Sequence, residues 1–342
     1  VFRIFIVSKI IPESTTIKSF YLVPKDGKGV DRFLPGQYIP VRVQLEKGAG
    51  WTLRNYTISD RPDRNYYRLS IKLEKGGTVS RYFHEKLAEG DEIELGKPMG
   101  SFYLTAGTHN PLVLLSGGVG ITPMMSMLEY IANREADRTL YFIHASLDHR
   151  VQPMHARLRE LEKKLPNTTV SIHHTCPNRE ERPGIDFDHE GLIDLPFLKS
   201  VLNGVQADYY ICGPVSFMEA MYAYLKEMGI GGSAIHYEFF GEGKALGAKP
   251  GFHDSKTDAY SVYFSKSDKM AYWNEAVSSI LELAEAAGLS PGFSCRNGSC
   301  GTCETRITSG SVSYDPEPFV PVPNNTILSC CSRPSSDVTI EL

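Results

Sequence analysis

Three thiols stand close together late in the chain, in Cys295-Arg296-Asn297-Gly298-Ser299-Cys300-Gly301-Thr302-Cys303, a C-x4-C-x2-C spacing. Two more follow in Leu328-Ser329-Cys330-Cys331-Ser332. Three thiolates from one tight loop, joined by a fourth from a distant segment, is the spacing of a [2Fe-2S] site. Gly298 and Gly301 let such a loop curl, because glycine takes a positive φ cheaply. Zinc knots favour two separated C-x2-4-C pairs, whereas the second group here is an adjacent Cys-Cys. A disulfide framework suits small secreted domains, and nothing else in the chain reads as secreted. The spacing leaves open whether Cys330 or Cys331 is the fourth ligand.

Other residues carry phosphate and ring chemistry. In Arg54-Asn55-Tyr56-Thr57-Ile58-Ser59, the guanidinium suits a phosphate gripped by two hydrogen bonds. The Tyr56 ring suits a flat isoalloxazine, and the Thr57 and Ser59 hydroxyls suit its ring nitrogens. Alone, the stretch would read as an ordinary strand with exposed polar residues. Gly76-Gly77-Thr78-Val79-Ser80 then opens a helix predicted over 80–87, where free N–H groups and a hydroxyl make an anion site. Farther on, the apolar run Pro111-Leu112-Val113-Leu114-Leu115-Ser116 ends in Gly117-Gly118-Val119-Gly120-Ile121-Thr122-Pro123, with a helix predicted over 124–133. Strand, glycine turn and helix make half of a dinucleotide site, although the G-x-G-x-x-G fingerprint is absent. Thr122 is expected to cap that helix, with Pro123 in its first turn. Another strand ends in Tyr210-Ile211-Cys212-Gly213-Pro214. Parallel sheets bind ligands at strand C-terminal ends, so Cys212 and Gly213 should face the crevice of 117–122. A buried cysteine also packs commonly as a small apolar residue.

R-x-Y-T/S-x-S, followed by G-x-x-S before a helix, resembles the flavin domain of the ferredoxin–NADP reductase superfamily. Gly117-Gly118-Val119-Gly120-Ile121-Thr122-Pro123 resembles the pyridine-nucleotide loop of the same superfamily. The resemblance implies Arg54 and Ser80 on the flavin phosphates, beside Gly77, Thr78 and Val79. It implies Tyr56 and Thr57 at the isoalloxazine with Ser59 near them, and Ile71 and Lys72 near the ribityl chain. Lys72 reads equally well as a solvated strand residue. Gly117, Gly118, Gly120, Thr122, Cys212, Gly213 and Pro214 would hold the nicotinamide nucleotide, with Cys212 by the nicotinamide. Thr57 and Cys212 would then flank the reacting atoms. His236-Tyr237-Glu238-Phe239-Phe240-Gly241 is similar to the end of flavohaemoglobin reductase domains, which implies Phe239 or Phe240 beside the flavin. No globin segment is visible, so oxygen chemistry is not implied. Leu328-x-Cys330-x-Ser332 resembles the L-x-C-x-S/A of plant-type ferredoxin domains. That implies Cys295, Cys300, Cys303 and Cys330 as ligands, with Cys331 pointing the other way along a strand.

The order flavin, nucleotide, iron–sulfur is that of the phthalate dioxygenase reductase family, which argues for FMN. The glycine–serine turn and the aromatic tail argue for FAD, the cofactor expected here. Between NADH and NADPH the discriminating stretch is Ser146-Leu147-Asp148-His149-Arg150. Asp148 suits a ribose hydroxyl and repels a 2′-phosphate, whereas Arg150 pulls the other way; Asp148 lies nearer the strand end, and NADH is expected.

The elements that position these residues fall into three groups. Short strands over 2–7, 17–23, 38–45, 53–59, 67–73 and 91–95 suggest a closed antiparallel β-barrel. Strands over 111–116, 139–145, 170–174 and 207–212 alternate with helices over 124–133, 154–165 and 215–228, as in an α/β doubly wound parallel sheet. A Gly-, Lys-, Ala- and Pro-rich linker at 241–257 leads to a hairpin over 259–264 and 270–273, an amphipathic helix over 275–287 and strands over 304–308, 312–314 and 338–342, an α+β β-grasp outline. The expected organisation is a multi-domain chain: flavin barrel 1–106, NAD(P) domain 107–240, linker 241–257 and ferredoxin domain 258–342.

With 342 residues, 42% apolar and 22% charged, the chain is long enough for such domains, and its net charge of −4 gives no reason to expect nucleic acid. No apolar run is long enough to suggest a membrane span. Seven cysteines, four of them committed to a cluster, point to a reducing compartment, the cytoplasm. The chain begins at Val1, so it reads as a fragment or processed product that an upstream domain can precede. The expectation is an NAD(P)H-dependent flavin and iron–sulfur electron-transfer reductase. Its acceptor would be a separate protein, an oxygenase foremost, or a fused domain. The contrasting reading, a non-enzymatic redox-sensing metal module, leaves the flavin and nucleotide motifs without a purpose.

Overall fold

The computed structural model describes residues 2–46, 51–105, 110–202, 204–240, 260–274, 277–289, 291–293, 296, 298, 301–315, 317–318 and 320–342. The chain divides into two compact units, 1–238 and 239–342. The expected linker, 241–257, and two expected cluster ligands, Cys295 and Cys300, lie outside the described residues.

The first unit opens with β1 (Arg3–Pro12), β2 (Ile17–Pro24), β3 (Tyr38–Gln44), β4 (Trp51–Thr57), β5 (Tyr67–Lys72), α1 (Thr78–Glu85) and β6 (Glu92–Leu95). The strands pair antiparallel in the order β4-β3-β6-β1-β2-β5. Side chains alternate across a strand, so one face of each is free to bury. Phe5, Val7, Phe20, Leu22, Val41 and Leu69 do so in one core, joined by Val79 and Phe83 of α1. The end strands meet at the Ile58–Leu69 bridge, and Ser59 N donates to Arg68 O at 2.8 Å. The sheet thus closes on itself, which removes an exposed edge.

The same unit continues with β7 (Leu112–Gly117), α2 (Ile121–Arg134), β8 (Leu140–Ser146), α3 (His155–Lys164), β9 (Thr168–His174), β10 (His189–Glu190), α4 (Leu195–Leu202), β11 (Asp208–Cys212), α5 (Val215–Glu227) and β12 (Ile235–Glu238). These strands are all parallel, in the order β10-β9-β8-β7-β11-β12. Every residue of β7 is buried, as an apolar strand inside a parallel sheet should be. The chain steps outward from β7 through β8, β9 and β10, then returns to β11 on the other side of β7. The topological switch point therefore lies between β7 and β11.

The second unit contains β13 (Ser261–Phe264), β14 (Lys269–Tyr272), α6 (Ile280–Ala286), β15 (Glu304–Ser309), β16 (Val312–Tyr314), β17 (Thr326–Leu328), β18 (Ser332–Pro334) and β19 (Val338–Ile340). Its mixed sheet runs β14-β13-β19-β15-β17, and β16 pairs with β18. Ile280, Leu283 and Ala284 of α6 share a core with Val262, Phe264 and Ile340. α6 starts later than the apolar pattern suggests, because the Ser279 hydroxyl accepts from Glu282 N at 3.3 Å and sets the cap there.

Candidate functional site

The parallel sheet builds its crevice from two turns at the switch point. Ser116 of β7 stands opposite Cys212 of β11. The turns beyond them approach so closely that a Cβ on Gly120 would lie 2.2 Å from Cys212 O. A side chain there would push the turns apart, so glycine is required by distance rather than by conformation. A 3-10 turn, Gly118–Gly120, leads straight into α2, whose cap position falls on Gly120. Thr122 therefore lies inside the first turn, and its hydroxyl donates to Val119 O at 3.0 Å instead of capping a free N–H.

Cys212 is fully buried, and burial pushes its thiol well above the ordinary range. It remains a neutral thiol, suited to packing against a ring and not to nucleophilic attack. Glu238 stands opposite Cys212 in the sheet. Burial raises its carboxyl to about 8, and Glu238 Oε2 meets no hydrogen-bond partner among the described residues. His144 ties neighbouring strand ends together, with Nδ1 2.8 Å from Ser116 Oγ and Nε2 2.9 Å from Ser146 Oγ; burial lowers its pKa to about 3. Asp148 is buried in the loop after β8. It accepts from Arg150 N at 2.9 Å and Val151 N at 3.3 Å and pairs with the Arg150 guanidinium, which holds its carboxyl below the ordinary range.

On the barrel, β4 presents Arg54 to solvent, with Nη1 donating to Leu53 O at 2.7 Å. Tyr56, two residues on, stands edge-on to Phe83 of α1 with ring centres 5.4 Å apart. Burial raises its phenol above the ordinary range. Gly77 begins α1 without a side-chain cap, and Thr78 and Val79 form its first turn. Ser80 Oγ accepts from Glu74 N at 3.2 Å. Lys72 pairs with Glu74 at 2.9 Å, which joins it to the same corner, whereas Ile71 is buried in the barrel core. Thr57 and Ser59 are both buried. Ser59 Oγ is 2.7 Å from Ser70 Oγ, which is 2.7 Å from Ser19 Oγ, so the Ser59 hydroxyl is engaged inside the barrel.

In the second unit, the Cys303 and Cys330 sulfurs lie 3.0 Å apart, and Gly298 N points at Cys330 Sγ from 3.2 Å. Gly298 has φ +75, the left-handed conformation that aims its amide inward. Converging sulfurs with an amide donor beside one of them fit a thiolate-bound cluster. Cys330 and Cys331 lie in a turn between β17 and β18, not on a strand. Cys331 Sγ lies 3.6 Å from Leu328 O, and a Cβ on Gly298 would come within 2.7 Å of it. Arg296 lies over the Phe293 ring at 3.8 Å and pairs with buried Glu285, one bond at 3.0 Å. Phe239 stands edge-on to Phe293, ring centres 6.4 Å apart, whereas Phe240 is exposed.

Asp60 and His144 escaped the sequence reading, whereas Arg68 was expected only as one residue of the 68–72 stretch lining the flavin site. Asp60 directly follows the R-x-Y-T-x-S stretch, but its buried pairing with Arg68 is a tertiary contact with no local periodic signal.

Three family models match in sequence order: an oxidoreductase FAD-binding domain over 5–103, an oxidoreductase NAD-binding domain over 114–222 and a 2Fe-2S iron–sulfur cluster binding domain over 266–335. A flavohemoprotein of Bacillus cereus is 39% identical over 250 residues, covering 72% of this chain and 62% of that protein. One from Bacillus subtilis is 40% identical over 240 residues, covering 70% and 59%. The chain thus spans about three-fifths of the length of the curated relatives it matches. Among solved structures, the flavohem-like FAD/NAD binding domain of nitric oxide dioxygenase from Vibrio cholerae aligns with TM-score 0.64 and 29% identity, over 70% of this chain and 98% of that one. Phthalate dioxygenase reductase aligns with TM-score 0.59 and 24% identity, over 100% of this chain and 98% of that one, a likeness of fold across all three domains. No helix among the described residues is long and apolar enough to cross a membrane.

Proposed function

The chain belongs to the ferredoxin–NADP reductase superfamily, as an oxidoreductase with FAD-, NAD- and 2Fe-2S-binding domains, and from that premise we propose that it passes electrons from NADH through FAD to the cluster and on to a protein acceptor. A hydride carries two electrons and a [2Fe-2S] cluster takes one, so bound flavin supplies the conversion between them. The observation that carries this reading is the approach of the Cys303 and Cys330 sulfurs, with the Gly298 amide aimed at Cys330, in a chain that also has the switch-point crevice.

Each part has work assigned to this chain's own residues. Arg54 and the start of α1 at Gly77–Ser80 grip the flavin phosphates, and Tyr56 packs against its ring. Gly117–Thr122 and Cys212–Pro214 seat the nicotinamide end of the nucleotide, with the neutral Cys212 thiol shielding the reacting carbon from water. Cys295, Cys300, Cys303 and Cys330 hold the cluster, and Cys331 does not. The preference for NADH rests on Asp148, whose carboxylate would repel a 2′-phosphate, while the Arg150 guanidinium that would attract one is paired with that carboxylate. The acceptor is an oxygenase component or another domain of a longer protein.

An anaerobic titration with NADH, followed by absorbance and electron paramagnetic resonance, tests the reading. Flavin bleaching followed by a reduced-cluster signal is expected. A protein that shows no flavin spectrum and ignores NADH would sink the proposal. In steady-state reduction of an artificial acceptor, kcat/KM for NADPH equal to that for NADH would remove the nucleotide preference alone.

A further inference from the structure

Hydride transfer needs the donor carbon of the nicotinamide and the acceptor nitrogen of the flavin held in near-contact, and this chain divides the task between two parts of the first unit. The flavin residues lie on and after β4, and the nucleotide loop precedes α2. What joins them is a knot between the loop after β4 and one side of α2. Ser126 Oγ donates to Asp60 O at 2.8 Å, fully buried. Ser126 lies one helical turn beyond Thr122, on the same side of α2. Asp60 immediately follows Ser59, and its carboxylate is fixed by Arg61 N at 2.8 Å, Tyr66 Oη at 3.0 Å, and the Arg64 and Arg68 guanidiniums at 3.6 and 3.9 Å.

Two turns along α2 the contact closes into a ring. Arg61 Nη1 donates to Asn133 Oδ1 at 2.9 Å, Asn133 Nδ2 donates to Asp63 Oδ2 at 2.8 Å, and Asp63 Oδ1 is 2.7 Å from Arg61 Nε. A second attachment lies at the loop after β8, where Thr15 donates through N at 2.9 Å and Oγ1 at 3.0 Å to Arg150 O. α2 is a rigid rod that begins at the glycine turn, so a shift at Ser126 or Asn133 is carried to Gly117–Thr122.

We propose that Ser126 and the Arg61–Asp63–Asn133 ring are positioning residues for hydride transfer, holding the nicotinamide loop at reacting distance from the flavin strand. The inference rests on the function proposed above. It differs from a purely structural role in what it moves. A knot that only holds the fold together would affect stability and flavin retention. A positioning knot affects the rate of the chemical step after both ligands are bound.

The test uses the full FAD-loaded protein, with Ser126→Ala and Asn133→Ala made singly. Anaerobic single-turnover reduction of the flavin is followed at saturating NADH, and in parallel with NADH deuterated at the transferred position. The limiting rate should fall about ten- to a hundred-fold, the loss expected of reacting groups misplaced by about an ångström. Half-saturation by NADH, flavin content and flavin reduction potential should stay at the parent values, and the isotope effect should rise as the hydride step becomes limiting. Limiting rates equal to the parent in both variants, or a loss that tracks lost flavin, would overturn the proposal. Asn133 is at the rim of the contact, so its variant decides the matter if Ser126→Ala fails to fold. A parent protein whose flavin NADH does not reduce would overturn the functional reading itself.

Discussion

Glu238 shows what one side chain's surroundings do to its chemistry. Its carboxyl titrates at about 8 instead of the ordinary 4.5 because burial penalises the charged form. Between those values the folded chain keeps a proton that the unfolded chain has released. Stability contributed by the group is therefore present below pH 4.5 and is lost as pH rises through 8, by up to about 1.4 kcal/mol per pH unit. Glu238→Gln keeps the shape and removes the titration. Thermal unfolding should show parent and variant close together near pH 5 and the variant increasingly the more stable toward pH 8; a gap that does not change with pH would contradict the assignment. A second residue-scale prediction separates the adjacent cysteines. Cys330→Ser should lose iron and sulfide, because its sulfur meets Cys303 and the Gly298 amide, and Cys331→Ser should retain them. The opposite pattern in a count of iron and sulfide would reverse the ligand assignment.

At the scale of elements, the nucleotide crevice depends on two turns that touch at glycine. Gly120→Ala places a methyl where Cys212 O already lies, and overpacking of this kind costs about 1–3 kcal/mol. FAD content should survive, since the barrel is not altered, while NADH-driven flavin reduction is lost. Gly232→Ala, whose Cβ would meet nothing within 4 Å, serves as the neutral control, and equal activity of the two variants would refute the crevice geometry. Long patterned elements were legible in the sequence: β7, β8, β11, α3 and α5 lie within a few residues of their expected bounds. The glycine turn and the cysteine loop were legible because their chemistry tolerates few substitutes. Short elements were legible only in part: β6, β13, β14, β16 and β19 overlap expected strands, whereas β12 and α4 were not among the expected elements. The start of α6 had a readable signal that the apolar pattern masked, since Ser279 and Glu282 have capping-box spacing. The Asp60–Ser126 contact joins residues 66 apart through a backbone carbonyl, which no sequence pattern encodes.

Across the whole molecule, the division into two compact units places the flavin and nucleotide residues in one and the described cluster thiols in the other. Two-electron chemistry and one-electron delivery are then assigned to separate cores, each with its own apolar centre. Loss of the cluster should therefore leave the first unit's chemistry intact. In Cys330→Ser, reduction of a small two-electron dye by NADH should continue at close to the parent rate, because the dye can take electrons at the flavin. Reduction of a one-electron haem protein such as cytochrome c should fall to a small fraction, because its electrons must leave through the cluster. Measuring both acceptors on one preparation makes the comparison independent of enzyme concentration and flavin loading. Equal retention of both activities would mean that the flavin delivers single electrons directly and that the cluster is off the path. Equal loss of both would mean that the two units depend on each other to fold, and the modular assignment would be wrong.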